Sequence, residues 1–146
     1  MRVLVTGMSG VGKSTLLEEM SRRGWVTVDT DYGDWKVADG NWHPQRMTQL
    51  LDAHPDIVVA GTVMNQGQFY EHFDHVVLLS APVDVLIERV STRANNPYGK
   101  TMAQQDDIRR HVDEVEPLLR AGATRELDAT LPTRTLADVL ENLSAP

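Results

Sequence analysis

"GMSGVGKST", residues 7–15, follows the short apolar run "VLVT" at 3–6 and opens a helical pattern over 13–23. Gly7, Gly12, Lys13 and Ser14 fit the spacing G-x-x-x-x-G-K-[ST], and a strand before with a helix after is the context that gives this spacing its meaning. Glycines let the main chain curl closely enough for the N–H groups of Ser9, Gly10, Val11 and Gly12 to face phosphate oxygens. The helix that follows adds the positive end of its dipole. Lys13 is expected on the β- and γ-phosphates, the Ser14 hydroxyl on Mg²⁺, and Thr15 nearer the α-phosphate. The stretch reads as a loop that binds a nucleoside triphosphate, with Mg²⁺ as the expected metal.

Outward from the loop, short β-branched runs alternate with helical patterns. "VTV" (26–28), "DIVVAG" (56–61) and "HVVLL" (75–79) read as buried strands, and "RELDAT" (125–130) as a weaker fifth. Between them, residues 44–54 place Met47, Leu50, Leu51 and His54 on one face, and Pro82 opens a helix to about Arg93 with Val83, Leu86, Ile87 and Val90 inward. "NNPYG" breaks that pattern; a helix from about Met102 is interrupted or kinked at Pro117 and stopped by Gly122. A last helix after Thr135 has Asp138 placed for a capping box. Strands alternating with helices imply a parallel sheet covered on both faces, a three-layer α/β/α sandwich whose ligands lie at the carboxyl ends of the strands.

Whether the bound nucleotide reacts depends on the acids. A conventional second motif would end the third strand with an acid, yet "IVVAGTVMNQG" has none there. The acids follow the second strand instead, in "VDTDYGD". Asp29 and Asp31 point the same way from an extended chain, with Thr30 opposite. Two carboxylates at a strand's carboxyl end suit two tasks, holding Mg²⁺ and accepting a hydroxyl proton. The bland alternative is a pair of solvated turn acids; Asp34 is a further candidate for the base.

The chain of 146 residues has room for one domain, and its 41% hydrophobic and 24% charged residues are ordinary for a soluble protein. It has no cysteine, which excludes disulfides and thiolate metal sites. No apolar run reaches membrane length, and a net charge of -7 argues against a nucleic-acid backbone as partner. The expectation is a cytoplasmic monomer or homodimer that binds neither membrane nor nucleic acid.

The segment "YGDWKVADGNWHPQR" (32–46) carries Tyr32, Trp35 and Trp42, and aromatic faces among polar groups suit a ring-shaped acceptor. An acceptor-binding region is therefore expected over about 32–54. Lys36 and Arg46 are candidates for an anionic group on it, Asn65 and Gln66 for hydrogen bonds from the opposite wall, and Trp42 stands equally as a core anchor. Arg89 and Arg93 share a helical face leading into "ANNPYGKT"; Arg89 reads as a solvated helix charge, and a closing lid is expected over about 94–102.

Strand, "GMSGVGKST", helix, strand and "DTD" resemble the small P-loop metabolite kinases, notably shikimate and gluconate kinases, of the nucleoside monophosphate kinase superfamily. The resemblance implies a five-stranded parallel sheet of P-loop NTPase type and ATP·Mg²⁺ as donor. It implies Asp29 near the metal, Asp31 on the acceptor hydroxyl, Arg93 against adenine, Lys100 on the phosphates, and Pro132 over the other adenine face. The chain departs from the pattern in lacking a glycine-rich turn, or an arginine that grips an acceptor phosphate, after the third strand. The expected function is transfer of the γ-phosphoryl group to a hydroxyl of a small molecule, with Lys13, Asp31 and Lys100 as catalytic residues. A nucleoside or nucleotide kinase is the nearest alternative, and a regulatory switch ATPase without an acceptor the alternative from another class. A nucleic-acid end kinase is disfavoured by acidity, and a GTPase by the lack of N-K-x-D.

Overall fold

β-Branched runs at the predicted places form β1 (Arg2–Thr6), β2 (Thr27–Asp29), β3 (Ile57–Ala60) and β4 (His75–Ser80), and "RELD" forms β5 (Arg125–Asp128). The structure is a computed structural model that describes residues 1–93 and 97–143. Its strands lie in the order β2–β3–β1–β4–β5, with every neighbouring pair parallel. Val5 of β1 sits between Ala60 of β3 and Val77 of β4. The connection from β1 runs to β2 on one side, and that from β3 crosses β1 to β4 on the other. The direction therefore reverses between β1 and β3, and their carboxyl ends flank the crevice where this architecture binds ligands.

The helices are α1 (Lys13–Arg22), α2 (Pro44–Ala53), α3 (Val83–Thr92), α4 (Met102–Glu114), α5 (Glu116–Gly122) and α6 (Thr133–Asn142), with a 3-10 helix at Gln66–His72. One core cluster gathers Val3, Val5, Val58 and Ala60 of the sheet with Leu16, Leu17 and Met20 of α1 and Leu136, Ala137 and Leu140 of α6. The other gathers Leu4, Ile57 and Val59 with Met47 and Leu51 of α2, Trp42 and Phe69. Leu4 and its neighbours thus serve opposite clusters, as the two-residue period of a strand requires.

Of the two outcomes expected at Pro117, interruption is the one found: α4 ends at Glu114 and α5 starts at Glu116, one residue ahead of the proline, which takes the early-turn position it tolerates. One helix boundary differs from expectation. α6 begins at Thr133 rather than after Thr135, with Pro132 as its N-cap residue, so Asp138 lies mid-helix and forms no capping box. Asp138 instead accepts a hydrogen bond from Arg23 at 2.8 Å, tying α6 to the end of α1. Among the described residues no helix is long and apolar enough to cross a membrane.

Candidate active site

β1 delivers the chain into the phosphate loop at Gly7, where a methyl group would stand 2.5 Å from the Leu79 carbonyl oxygen. Gly12 caps α1 with φ of 95°, a left-handed conformation that favours glycine. The loop is held from behind by residues far away in sequence. Thr62, just past β3, donates to Gly7 O at 2.7 Å, and Gly7 N donates back to its hydroxyl at 3.1 Å. Arg89 of α3 donates to Gly10 O at 3.2 Å and, through its other nitrogen, to Ala129 O at 2.8 Å. Arg89 is therefore a brace for the loop, not the solvated charge its helical position suggested. Lys13 donates to Gly7 O at 2.6 Å and Met8 O at 3.3 Å. Burial pushes its amine down to about 8, against the opposing pull of Asp31 and Asp29.

At the end of β2 the alternation of side chains sorts the "DTD" residues. Thr30 is buried; its hydroxyl donates to Ala60 O at 2.8 Å and accepts from Trp42 Nε1 at 2.9 Å. Asp29 turns to the loop, where Oδ2 accepts from the Ser14 hydroxyl at 2.5 Å, and its Oδ1 accepts from Asp31 N at 3.1 Å. Asp31 accepts from Lys36 Nζ at 2.9 Å. Ser14 and Asp29 thus present hard oxygen atoms beside the phosphate loop. Mg²⁺ takes such donors and is commonly held by one or two protein ligands together with substrate phosphates, so the pair fits that ion.

Two cavities adjoin here, and Ser9, Lys13 and Asp31 line both. The larger, about 640 Å³, runs along Gly10, Val11, Gly12, Ser14 and Thr15 to Arg93, Tyr98, Leu131 and Thr133. The smaller, about 360 Å³, is lined by Gly7, Asp39, Asn41, Thr62, Met64, Ile108, His111 and Leu119, among others. The first has the length and the loop for a nucleotide; the second has the size of a small-ligand pocket.

The other expected site residues are distributed unevenly. Arg93 lines the larger cavity and donates to Tyr98 O at 2.9 Å. Pro132 heads α6, while its neighbours Leu131 and Thr133 line the cavity wall that Pro132 was expected to cover. Of the expected lid, residues 94–96 lie outside the described residues. Its Lys100 reaches back to the carboxyl end of α3, donating to Arg93 O at 2.7 Å, and lines neither cavity.

None of Tyr32, Trp35, Arg46, Asn65 and Gln66 is among the described residues lining the smaller cavity. Tyr32 borders the larger one. Trp35 lies under the Arg46 guanidinium, 5.3 Å from its ring centre, and Arg46 also donates to Asp34 O at 2.6 Å. Gln66 is buried, its amide spent on Thr6 and Tyr70 and its oxygen on Val63 N, so it has no group to offer an acceptor. Asn65 clasps the main chain of Trp42, accepting from its N–H and donating to its carbonyl, each at 3.0 Å. These partners replace the hydrogen bonds expected toward a substrate.

What that clasp achieves is the placement of a short arm. Trp42 is fully buried and edge-on to Phe69, with ring centres 5.6 Å apart. Lys36 and Trp42 form an antiparallel bridge, and the turn between them carries Asp39 and Asn41 to the smaller cavity. Asn65→Ala should destabilise the protein by about 2 kcal/mol, the usual scale for two lost hydrogen bonds and a partly buried main-chain pair left open. Urea unfolding measures this; an unchanged midpoint would mean that the arm does not depend on the clasp. Asp39, Asn41, His111 and Thr62 carry no signal in the sequence, and Arg89 carries a misleading one, because their meaning lies in contacts between distant segments.

A family model described as an AAA domain matches residues 3–115. No curated protein matches the chain significantly in sequence. Among solved structures, the shikimate kinase of Acinetobacter baumannii in complex with shikimate superposes with a TM-score of 0.70 at 20% identity, over 97% of this chain and 91% of that one. Shikimate kinase from Bacteroides thetaiotaomicron gives 0.70 at 18% identity, over 97% and 98%. Deoxyadenosine kinase from M. mycoides with bound dATP gives 0.65 at 15% identity, over 98% of each chain. The fold is that of small P-loop kinases.

Proposed function

The chain belongs to the AAA-domain family, and we propose that it is an ATP-dependent kinase that transfers the γ-phosphoryl group to a hydroxyl of a small molecule. The observation that carries this reading is the pair of adjoining cavities that share Ser9, Lys13 and Asp31. A switch ATPase needs one nucleotide cleft; a phosphotransferase needs a donor and an acceptor to meet across a short gap.

In this reading the larger cavity takes ATP, with Arg93, Tyr98 and Leu131 around the base and the loop amides around the phosphates. Ser14 and Asp29 would hold Mg²⁺, which neutralises phosphate charge when bound. The acceptor hydroxyl oxygen attacks the γ-phosphorus, the bond to the β–γ bridging oxygen breaks, and ADP leaves. Asp31 accepts the hydroxyl proton, and Lys13 spans both sides of the gap. Phosphoryl transfer depends mainly on such positioning and on positive charge around the transferring group.

The second cation is assigned to Lys36. Its ammonium is on Asp31 and it lines the donor cavity, whereas Lys100 would have to leave Arg93 O to approach. Lys36→Met should lower transfer about tenfold or more with little change in ATP affinity, because its charge counts most as the phosphoryl group moves. Lys100→Met run beside it decides between the two: a greater loss there would return the role to the lid.

The test of the function itself is transfer of labelled γ-phosphate from ATP into a metabolite library, with products identified by mass. ATP binding without transfer to any compound would favour the regulatory ATPase. A nucleoside acceptor is the second reading, supported by the likeness in fold to a deoxyadenosine kinase; nucleosides therefore belong in the library.

A further inference from the structure

We infer that the acceptor is a hydroxyl compound of about single-ring size that carries no carboxylate or phosphate, and that an amine on it is favoured; this rests on the kinase reading above. The argument is one of charge accounting around the smaller cavity. A buried or half-buried anion needs a cation or several aimed donors, or it loses more solvation than it regains. Among the described residues lining this cavity, Lys13 is the one Lys or Arg, and its ammonium belongs to the phosphate loop. The two cations that the sequence offered for an anionic acceptor are engaged elsewhere. Lys36 pairs with Asp31 and faces the donor cavity, while Arg46 lies on Trp35 and bonds Asp34 O.

What the cavity presents instead is two carboxylates, an amide and an imidazole, from Asp31, Asp39, Asn41 and His111. A single imidazole beside two carboxylates is a poor receptor for a third. Asp39 accepts from Asn41 N at 3.0 Å and from Asn41 Nδ2 at 3.3 Å, which holds the tip of the arm and keeps its carboxylate in the cavity lining. Carboxylates accept hydrogen bonds from hydroxyls and attract ammonium groups, and both suit a polyol or an amino alcohol. Ile108 of α4, Leu119 of α5 and Val115 between the two helices line the same cavity beside His111, so part of the lining suits an uncharged ring or chain. A volume of about 360 Å³ sets the size.

Matched acceptors test this: a hexose, the corresponding hexosamine, hexuronic acid and hexose phosphate, together with an aromatic alcohol and its amine-bearing and carboxylate-bearing forms. Each is incubated with labelled ATP and Mg²⁺, and kcat/KM is measured. The expected result is transfer to neutral and amine-bearing members, at least about tenfold above the acids and phosphates. Asp39→Asn should lower kcat/KM for the amine about fivefold more than for the neutral congener, and leave the KM for ATP as it was. Preferential transfer to a carboxylate or phosphate overturns the inference and leaves the kinase reading standing. So does an unchanged preference between amine and neutral congener in Asp39→Asn. Transfer to no member of any class, while ATP still binds, goes against the kinase reading itself and takes this inference with it.

Discussion

Lys13→Ala should abolish the thermal stabilisation that ATP gives the wild-type protein. A ligand at a hundred times its dissociation constant stabilises by about 2.7 kcal/mol, and that increment is what the variant is expected to lose. The substitution is a clean probe because the loop does not depend on the lysine for its shape. Thr62 holds Gly7 through both its carbonyl and its N–H, Arg89 holds Gly10 O, and Gly12 sets the start of α1. Lys13 contributes two hydrogen bonds to loop carbonyls and an ammonium that burial makes costly to keep charged. Removing it relieves that cost, so the ligand-free variant should melt no lower than the wild type by more than about 1 kcal/mol. Arg89→Ala is the informative contrast. It should destabilise the ligand-free protein and weaken ATP together, since it removes the brace and not the phosphate ligand. If Lys13→Ala binds ATP as the wild type does, the phosphate-loop assignment fails, and the proposed chemistry with it.

The parts of the molecule that were legible in the sequence are those whose determinants lie close together in the chain. The run from Arg2 to Arg22 holds strand, loop and helix within one local pattern, and the loop spacing fixes its ligand class. Thr30 inward with Asp29 and Asp31 outward follows from the two-residue period alone. The acceptor side was not legible in the same way. Trp42 reads equally as a ring-binding residue or a core anchor until Asn65, Thr30 and Phe69 are seen to surround it, and those partners come from two segments distant from it in the chain. Gln66 reads as a polar loop residue, yet its whole amide is consumed by Thr6, Tyr70 and Val63. Arg89 could be a surface charge on helical spacing; its partners at Gly10 and Ala129 are far off in the chain and on different elements. Residues that shape a site through long-range hydrogen bonds carry no local signature, which is why Thr62 went unremarked in a segment searched for an acid. Its hydroxyl and that of Thr6 are 3.0 Å apart behind the loop, and the carboxylate bonded to Ser14 comes from the end of β2 instead.

Asp31→Asn should leave ATP binding nearly intact and depress transfer by roughly a hundredfold or more, the usual scale of a lost general base. Asn preserves the size of the side chain and an oxygen for Lys36, but it removes the negative charge and most of the basicity. The position makes the test specific. Asp31 lines both cavities, whereas Asp29 is bonded to Ser14 and Asp34 lines neither. Asp29→Asn should therefore act through Mg²⁺, raising the metal concentration needed for half-maximal rate and recovering in part at high metal. Asp34→Asn should change little, because its backbone carbonyl, which the substitution keeps, is what Arg46 holds. The ion pair between Lys36 and Asp31 adds a second expectation. If Lys36 moves from the carboxylate to the phosphoryl group during transfer, then combining Lys36→Met with Asp31→Asn should cost less than the sum of the two single losses, since each alone already removes the charge pairing they share. Strict additivity would place the two residues in separate roles. A wild-type transfer rate in Asp31→Asn would remove it as the base, and a wild-type rate in all three Asn variants would remove the "DTD" site from the chemistry altogether.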